Sequence, residues 1–392
     1  MWTNKQHIMS RLAREHRVLH ADYGALPLPL YMKKRFMQRP TDFTSPFKVL
    51  TNGVVHRGGN LWTATHWLPL CAWGLPRDSR LRDYLWHDLK VRFVKDFAHE
   101  QAQNKPIAWV YHPVYGDAVE RLDKKLLVYD CVDNYAAFPK YRDKAWLMER
   151  EKRLCERADL VFTTSEPLYE IKRKYNPENT FLVHNVGDAE HFNKALDPGC
   201  EIPQELEEIR KKGPVIGFVG AVSNYKLNLD WVMHVARQKP EYQVVLIGPI
   251  GMSDPNTNVK ELEAIDNIHM LGVRSYQSLP QYIKGFDVAV IPYRLNDYTE
   301  SVFPIKFFEF LASGKPVVIS PLPSVKEFYD DVLVAHHGDE FVQHCEAVIN
   351  GAETDISRQS RRLELAAENS WPKRIGELMH HIERKLDEKG LL

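Results

Sequence analysis

The stretch Phe303–Val318, FPIKFFEFLASGKPVV, decides how this chain is read. Its pattern predicts a helix start, a short helix, a tight exit and a buried strand. Pro304 suits a first helical turn, where its missing N–H is not needed. Ile305, Phe308 and Leu311 or Ala312 fall at helical spacing and predict the buried face, with Lys306, Glu309 and Ser313 on another. Gly314 is placed to end the helix in the left-handed conformation. Pro316-Val317-Val318-Ile319 reads as a buried strand of a parallel sheet. A helix N-terminus beside a strand end is a ready site for a diphosphate, and Lys306 adds a cation there. A carboxylate one turn further in, at Glu309, can accept hydrogen bonds from both hydroxyls of a ribose. The bland alternative is a surface Lys306–Glu309 pair at i, i+3, worth about 0.2–0.5 kcal/mol.

Working outward, 392 residues suffice for two domains with full cores. With 44% hydrophobic and 27% charged residues the chain has an ordinary globular composition. A formal net charge of zero argues against a dedicated nucleic-acid binder, which would be basic overall. The zero hides an asymmetry: residues 1–100 hold sixteen Lys/Arg against eight Asp/Glu, so the remainder is net acidic. A basic N-terminal part suits anionic lipid or a phosphorylated acceptor, and equally a solvated surface. The five cysteines, Cys71, Cys131, Cys155, Cys200 and Cys345, are scattered without a C-x-x-C pair. That fits a reducing compartment and neither a disulfide framework nor a zinc site. No apolar run has the length of a membrane span, and the N-terminus lacks a signal-peptide core. The expected location is the cytoplasm, with peripheral contact at the inner face of the cell membrane.

Taken in order, residues 2–15 read as a helix with Ile8, Met9 and Leu12 at core spacing, and Arg17–Ala21 as a strand. An open α/β domain usually starts on a strand, so either the first strand is absent or the true start lies upstream of Met1. Lys48–His56 and Leu61–Leu68 alternate around Arg57-Gly58-Gly59-Asn60, a hairpin signal. A helix from about Ser79 to Gln103 follows. Strands at 107–111, 126–130, 159–163 and 180–184 then alternate with helices near 114–121, 140–157 and 166–174. A second series places strands at 215–219, 243–248, 267–271, 286–291 and 331–335, with helices at 227–238, 275–284, 338–350 and 355–368, and a last one at 371–388. Such alternation implies doubly wound parallel sheets, with ligands at the carboxyl ends of the strands. The expected layout is a Rossmann-like domain over 1–195, a polar linker over 196–213, a second Rossmann-like domain over 214–368, and a terminal helix over 369–392.

Several further stretches join the opening one: VYDCVDNYAAFP (128–139), ADLVFTTSEPL (158–168), VHNVGDAEHF (183–192) and GFVGAVSNYK (217–226). Together they resemble the retaining glycosyltransferases of family 4, of GT-B architecture, in the flavour of bacterial capsule, teichuronic-acid or exopolysaccharide enzymes. The resemblance runs from about Val110 to Phe328 and is most specific at FPIKFFEFLASGKPVV. It implies two Rossmann-like domains facing each other across a cleft, the first for the acceptor and the second for the donor, with the terminal helix crossing back to the first through Ile375, Leu378 and Ile382. It implies a hexosyltransferase-type enzyme that needs no metal or other cofactor and takes a UDP-, GDP- or dTDP-sugar as substrate. Glu309 occupies the ribose-binding position, while Gly220, Lys226, Lys306, Val302 and Phe303 line the rest of the donor site. Lys226, six residues after Gly220, matches the cation that stabilises the departing diphosphate.

Two departures stand out. Ala221 sits where many members carry Arg. Ser301 sits where many carry a Glu eight positions before the ribose-binding one, with Glu300 one residue off. Glu300 serves if the loop 294–303 bulges by one residue; otherwise Ser301 and Val302 line the sugar. On the acceptor side, His112 and Asp133 stand at strand ends and can bond hydroxyls or help take a proton. The competing readings are a satisfied loop histidine and an Asp133-Asn134 turn. Asn185 is expected to order its loop, and Ser165 to cap the following helix. Trp62, Trp67, Trp73 and Trp86 among basic residues suit either a core or a membrane-docking face. The rival functions are a nucleotide-sugar epimerase of the same fold and a non-catalytic scaffold subunit.

Overall fold

The computed structural model describes residues 4–21, 26–27, 54–64, 67–68, 94–97, 105–138, 143–252, 254 and 257–392. The chain divides into two compact units, each discontinuous in sequence. One comprises Lys5–Asp130, Leu147–Val161 and His381–Leu392; the other comprises Met1–Asn4, Cys131–Trp146 and Phe162–His380. Residues 131–146 and 162–195 therefore group with the C-terminal half of the sequence.

The helix Asn4–Leu12 leads into the first unit and buries Ile8 and Leu12, with Met9 half-buried. Strand β1 (Val18–Ala21) follows, then β2 (Leu26–Pro27), β3 (Val54–Gly58), β4 (Leu61–Ala64) and β5 (Trp67–Leu68). β3 and β4 are antiparallel, as the hairpin signal predicts, with the register slipping between His56 and Gly58. The turn is shorter than expected, because Arg57 and Gly58 stay in the strand and Arg57 donates to Thr63 Oγ1 at 2.9 Å. β1 runs parallel to β4, and β2 to β5. The predicted helix 79–103 lies outside the described residues apart from 94–97, which are helical. Trp73 and Trp86 also lie outside them.

β6 (Ile107–Val110) and β7 (Leu126–Cys131) are parallel neighbours. Every β7 position is buried, as a strand covered on both faces requires. The helix Lys144–Arg157 brings its later turns to this unit, where Arg150 pairs with Asp117 and the Tyr129 hydroxyl donates to Glu151 at 2.5 Å.

β8 (Leu160–Thr163) carries the chain into the second unit, followed by the helix Glu166–Lys172 and β9 (Thr180–Leu182). The core of this unit is a six-stranded sheet of β10 (Val215–Val219), β11 (Gln243–Ile247), β12 (Ile268–Gly272), β13 (Val288–Ile291), β14 (Val317–Ile319) and β15 (Leu333–Val334). The spatial order is β12-β11-β10-β13-β14-β15, parallel throughout. β10, β11, β13 and β14 are buried at every position, so apolar runs without alternation are what the sequence needed there. This is the doubly wound order, in which the strand order reverses its direction across the sheet between β10 and β13 while every strand stays parallel. The loops leaving β10 and β13 therefore flank a crevice at the carboxyl edge of the sheet. Helices outside the sheet start on side-chain caps: Asn228 for Leu229–Gln238, His337 for Gly338–Ile349 and Asp355 for Ile356–Glu368.

The segment 196–213 is not a bare linker. It holds a helix, Gln204–Arg210, that buries Leu206 and Ile209. Arg210 donates to the Gly285 carbonyl at 2.5 Å, and Glu205 pairs with Arg274 at 2.7 Å. Two apolar positions in seven residues were too few to display a period.

Candidate active site

The deciding helix spans Ile305–Ala312 and leaves from the β13 side of the crevice. Pro304 is the residue just before it, with extended backbone, rather than a member of its first turn. Gly314 adopts φ +70°, its N–H donates to the Leu311 carbonyl at 2.9 Å, and the Lys315 N–H reaches the Phe310 carbonyl at 3.2 Å. That is the Schellman ending, which glycine forms without a Cβ penalty. The expected polar face does not exist. Phe307 through Ala312 are all buried, and Phe303, Phe307, Phe308 and Phe328 form one aromatic cluster with centroids 5.1–6.2 Å apart. Ser313, also buried, donates to the Glu309 carbonyl at 2.9 Å.

Glu309 is thus a carboxylate inside a core, 1% exposed. Lys306 is its ion-pair partner, with a side chain only 11% exposed and its ammonium 5.1 Å from the centre of the Phe192 ring. The pair exists at i, i+3 as the surface alternative supposed, but it is not on the surface. Burial pushes the Glu309 pKa up, and Lys306 pulls it back. Asp188, held by the Tyr276 hydroxyl at 3.1 Å, adds a second negative charge nearby.

Three loops meet in the crevice. The one after β10 begins at Gly220, whose N–H is held by the Ile247 carbonyl at 2.8 Å, and leads past Ala221 to Lys226. The Lys226 ammonium lies 4.8 Å from the centre of the Tyr293 ring. Burial works to lower its pKa, but Tyr293, Tyr225 and Asp133 outweigh that and leave it raised, so this lysine is held as a cation. The loop after β13 supplies Tyr298, and the loop after β7 supplies Asp133, whose carboxylate accepts from the Tyr298 hydroxyl at 3.3 Å. Burial, then Asp133, raise the Tyr298 pKa well above the ordinary range, which keeps it a donor. Tyr298 packs on Phe138 at 4.6 Å and on Tyr225 at 5.2 Å. Asp133, named from sequence for the acceptor side, thus shares a cluster with Lys226.

The approach to the helix is pinned by its carbonyls. Ser301, Val302 and Phe303 each give theirs to a distant side chain: Ser165 Oγ at 2.7 Å, Ser324 Oγ at 2.5 Å and Asn185 Nδ2 at 2.9 Å. Ser165 does not make the capping bond expected of it, although it occupies the cap position. Ser301 is buried in a 3₁₀ turn, Thr299–Ser301, while Glu300 in the same turn is exposed. Tyr298, Ser324 and Asp188, and the actual partner of Ser165, escaped the sequence reading, since no spacing links residues 22 to 165 positions apart. His112 belongs to the other unit. It is buried, and its Nδ1 accepts from the Val114 N–H at 3.2 Å, capping the short turn Pro113–Tyr115. No group of three or more His, Cys, Asp or Glu suited to a metal ion is present among the described residues.

Residues 213–351, which contain this sheet and its loops, match the family model described as Glycosyl transferases group 1. TuaH of Bacillus subtilis (strain 168), whose name places it in teichuronic acid biosynthesis as a glycosyltransferase, is 28% identical over 257 residues, covering 62% of this chain and 64% of that protein. Among solved structures, sucrose-phosphate synthase from Thermosynechococcus elongatus superposes with a TM-score of 0.68 at 14% identity, covering 98% of this chain and 92% of that one. Anabaena HepE in complex with UDP-glucose gives 0.65 at 15% identity, covering 93% and 99%. The fold is α/β with parallel sheets, that of the GT-B glycosyltransferases.

Proposed function

We propose that this chain is a glycosyltransferase that moves a sugar from a nucleotide-sugar donor to a hydroxyl of a saccharide or lipid-linked glycan. We place it in cell-surface polysaccharide assembly, as a retaining, metal-independent, hexosyltransferase-type enzyme. One observation carries the reading. A buried carboxylate, Glu309, lies one turn into a helix at the crevice of a doubly wound sheet, with Lys306 beside it. That is a poor place for a charge unless a polar ligand uses it. The group 1 match over the same residues supports it, as does the name of TuaH. The HepE structure with UDP-glucose makes UDP the first nucleotide to test.

In this reading the helix N-terminus and Lys306 hold the diphosphate, and the Glu309 carboxylate accepts from the ribose hydroxyls. As the bond from the sugar C1 to the diphosphate oxygen breaks, negative charge grows on that oxygen. Lys226, held as a cation on the Tyr293 ring, stabilises it as the leaving group. The acceptor oxygen bonds to C1 on the face that the diphosphate leaves. Its proton passes to the departing phosphate oxygen, with Asp133 orienting the hydroxyl. Buried Ser301 and Val302 replace the usual second carboxylate on the sugar side. The enzyme works on the cytoplasmic face of the membrane as a peripheral protein, and takes no nucleic acid. The test is transfer or donor hydrolysis by Glu309→Ala, preceded by calorimetric titration with UDP, GDP and dTDP. A folded variant that turns over donor at the wild-type rate sinks the assignment.

A further inference from the structure

We infer that Arg374 and Asn185 are positioning residues for the donor helix, so that the last helix of the chain sets how well the nucleotide is held. This rests on the proposed donor site. Arg374 is 2% exposed, and its guanidinium lies 5.4 Å from the Trp371 ring centre in the first turns of the helix Trp371–Glu388. Its Nη1 donates to Asn185 Oδ1 at 2.8 Å. A guanidinium can only donate, so it dictates which way the Asn185 amide faces. The oxygen must point to Arg374, and the NH₂ must therefore point to the Phe303 carbonyl, where it donates at 2.9 Å. Phe303 is two residues ahead of the helix that carries Lys306 and Glu309. The side-chain amide of Asn4 joins the same buried group.

The same loop is clamped a second time. The Gly187 N–H donates to the Asn369 carbonyl at 3.3 Å, and Gly187 forms a parallel bridge with Ser370. On its other side, Gly187 lies so close to the donor helix that a Cβ would stand 2.8 Å from the Phe308 carbonyl carbon and 2.9 Å from the Glu309 nitrogen. The loop 183–188 is therefore a spacer between the terminal helix and the backbone of Glu309. A shift at Arg374 passes through a bonded path to the carboxylate without any change in the donor contacts themselves. Small displacements of such a group weaken binding strongly.

The decisive variant is Asn185→Asp. It keeps an acceptor for Arg374, now as an ion pair, and turns a carboxylate oxygen, which cannot donate, toward the Phe303 carbonyl in place of the NH₂. The full chain is titrated calorimetrically with UDP, GDP and dTDP, and its melting point is measured without nucleotide. Asn185→Asp should melt close to wild type and bind its nucleotide roughly tenfold more weakly or worse. Arg374→Met should weaken binding similarly, and Arg374→Lys, which keeps a donor to the same oxygen, should restore most of it. The double variant Asn185→Asp/Arg374→Met should be no weaker than the worse single one, as one path predicts. A purely structural role would lower the melting point and leave the affinity measured below it unchanged. Wild-type affinity in folded Asn185→Asp, or in Arg374→Met if the former does not fold, overturns the inference. Absence of binding by the wild-type chain overturns the donor-site reading instead, before any variant is compared.

Discussion

Two lysines bracket one helix. Lys306 opens it at the carboxyl edge of the sheet, and Lys315 follows its end at the amino edge, next to β14. Both ammonium groups are drawn out of water, yet they are held in opposite ways. Lys306 has a buried carboxylate and an aromatic ring. Lys315 has two backbone carbonyls, of Lys284 at 2.9 Å and Phe286 at 2.6 Å, and burial brings its pKa down to about 8. A cation kept beside a buried anion can exchange that partner for a ligand and stay charged. A cation hydrogen-bonded to carbonyls rather than to a carboxylate is a brace that closes the end of the Leu279–Lys284 helix. Burial of a lysine therefore says nothing about function until its partner is known.

The comparison breaks first at Glu309. Glu309→Ala should lower transfer by about a thousandfold or more in an initial-rate assay, because in the proposed donor site both ribose contacts go and Lys306 loses its anion. Lys226→Met should lower kcat by about a hundredfold with a smaller change in KM, since the cation acts mainly as the leaving group departs. Lys306→Met should weaken UDP by about tenfold and make binding pH-dependent. Burial already raises the Glu309 pKa, and Lys306 opposes that, so removing Lys306 raises it further. Binding to the ionised carboxylate should then fall as pH drops in the variant while the wild type still holds, as titrations from about pH 8 down to about 5.5 would show.

Lys315 should give the smallest effect on rate and a distinct effect on stability. Its pKa is about 8 in the folded chain against an ordinary 10.5, so the unfolded chain binds more protons between those values. Stability from this group is therefore lowest below pH 8 and rises as pH climbs toward 10.5. Lys315→Met should leave transfer unchanged and abolish that rise in denaturant melts. A slower Lys315→Met enzyme would erase the distinction between the two lysines.

Much of the fold was legible because a parallel sheet writes itself as apolar runs. VIGFV, VVLI and VVI each fell within a residue of an observed strand. Gly314 was legible as the helix end because glycine takes the left-handed conformation without a Cβ penalty. What was not legible is whatever long range decides. The helix 305–312 looked amphipathic because Lys306 and Glu309 are charged, yet packing buries Glu309 and leaves Lys306 only half-buried beside it. The docked helix Gln204–Arg210 hid in a polar segment. At the site, the residue types at Glu309 and Lys226 pointed to the chemistry proposed for them, but nothing pointed to the bonds to three successive carbonyls. Serines and an asparagine are turn formers in any sequence, and only the fold makes them clamps. Glu300, one position from where the resemblance wants a carboxylate, lies exposed in a 3₁₀ turn that no local pattern announced.

Gly187 carries one more consequence. In a scan of every substitution at every position it should score as intolerant as Glu309, and for a reason unrelated to chemistry: no room exists for a methyl group beside the Phe308 and Glu309 backbone. The two are told apart by how they fail. At residue 309 a near-isosteric Gln should be as damaging as any other replacement. At residue 187 the damage should grade with size, Ala being the mildest, and should persist in a chain whose Phe308 ring is trimmed away, because the atoms in the way are the Phe308 and Glu309 backbone and the Phe308 Cβ. Intolerance that grades with volume marks a spacer, and intolerance that ignores volume marks a ligand contact.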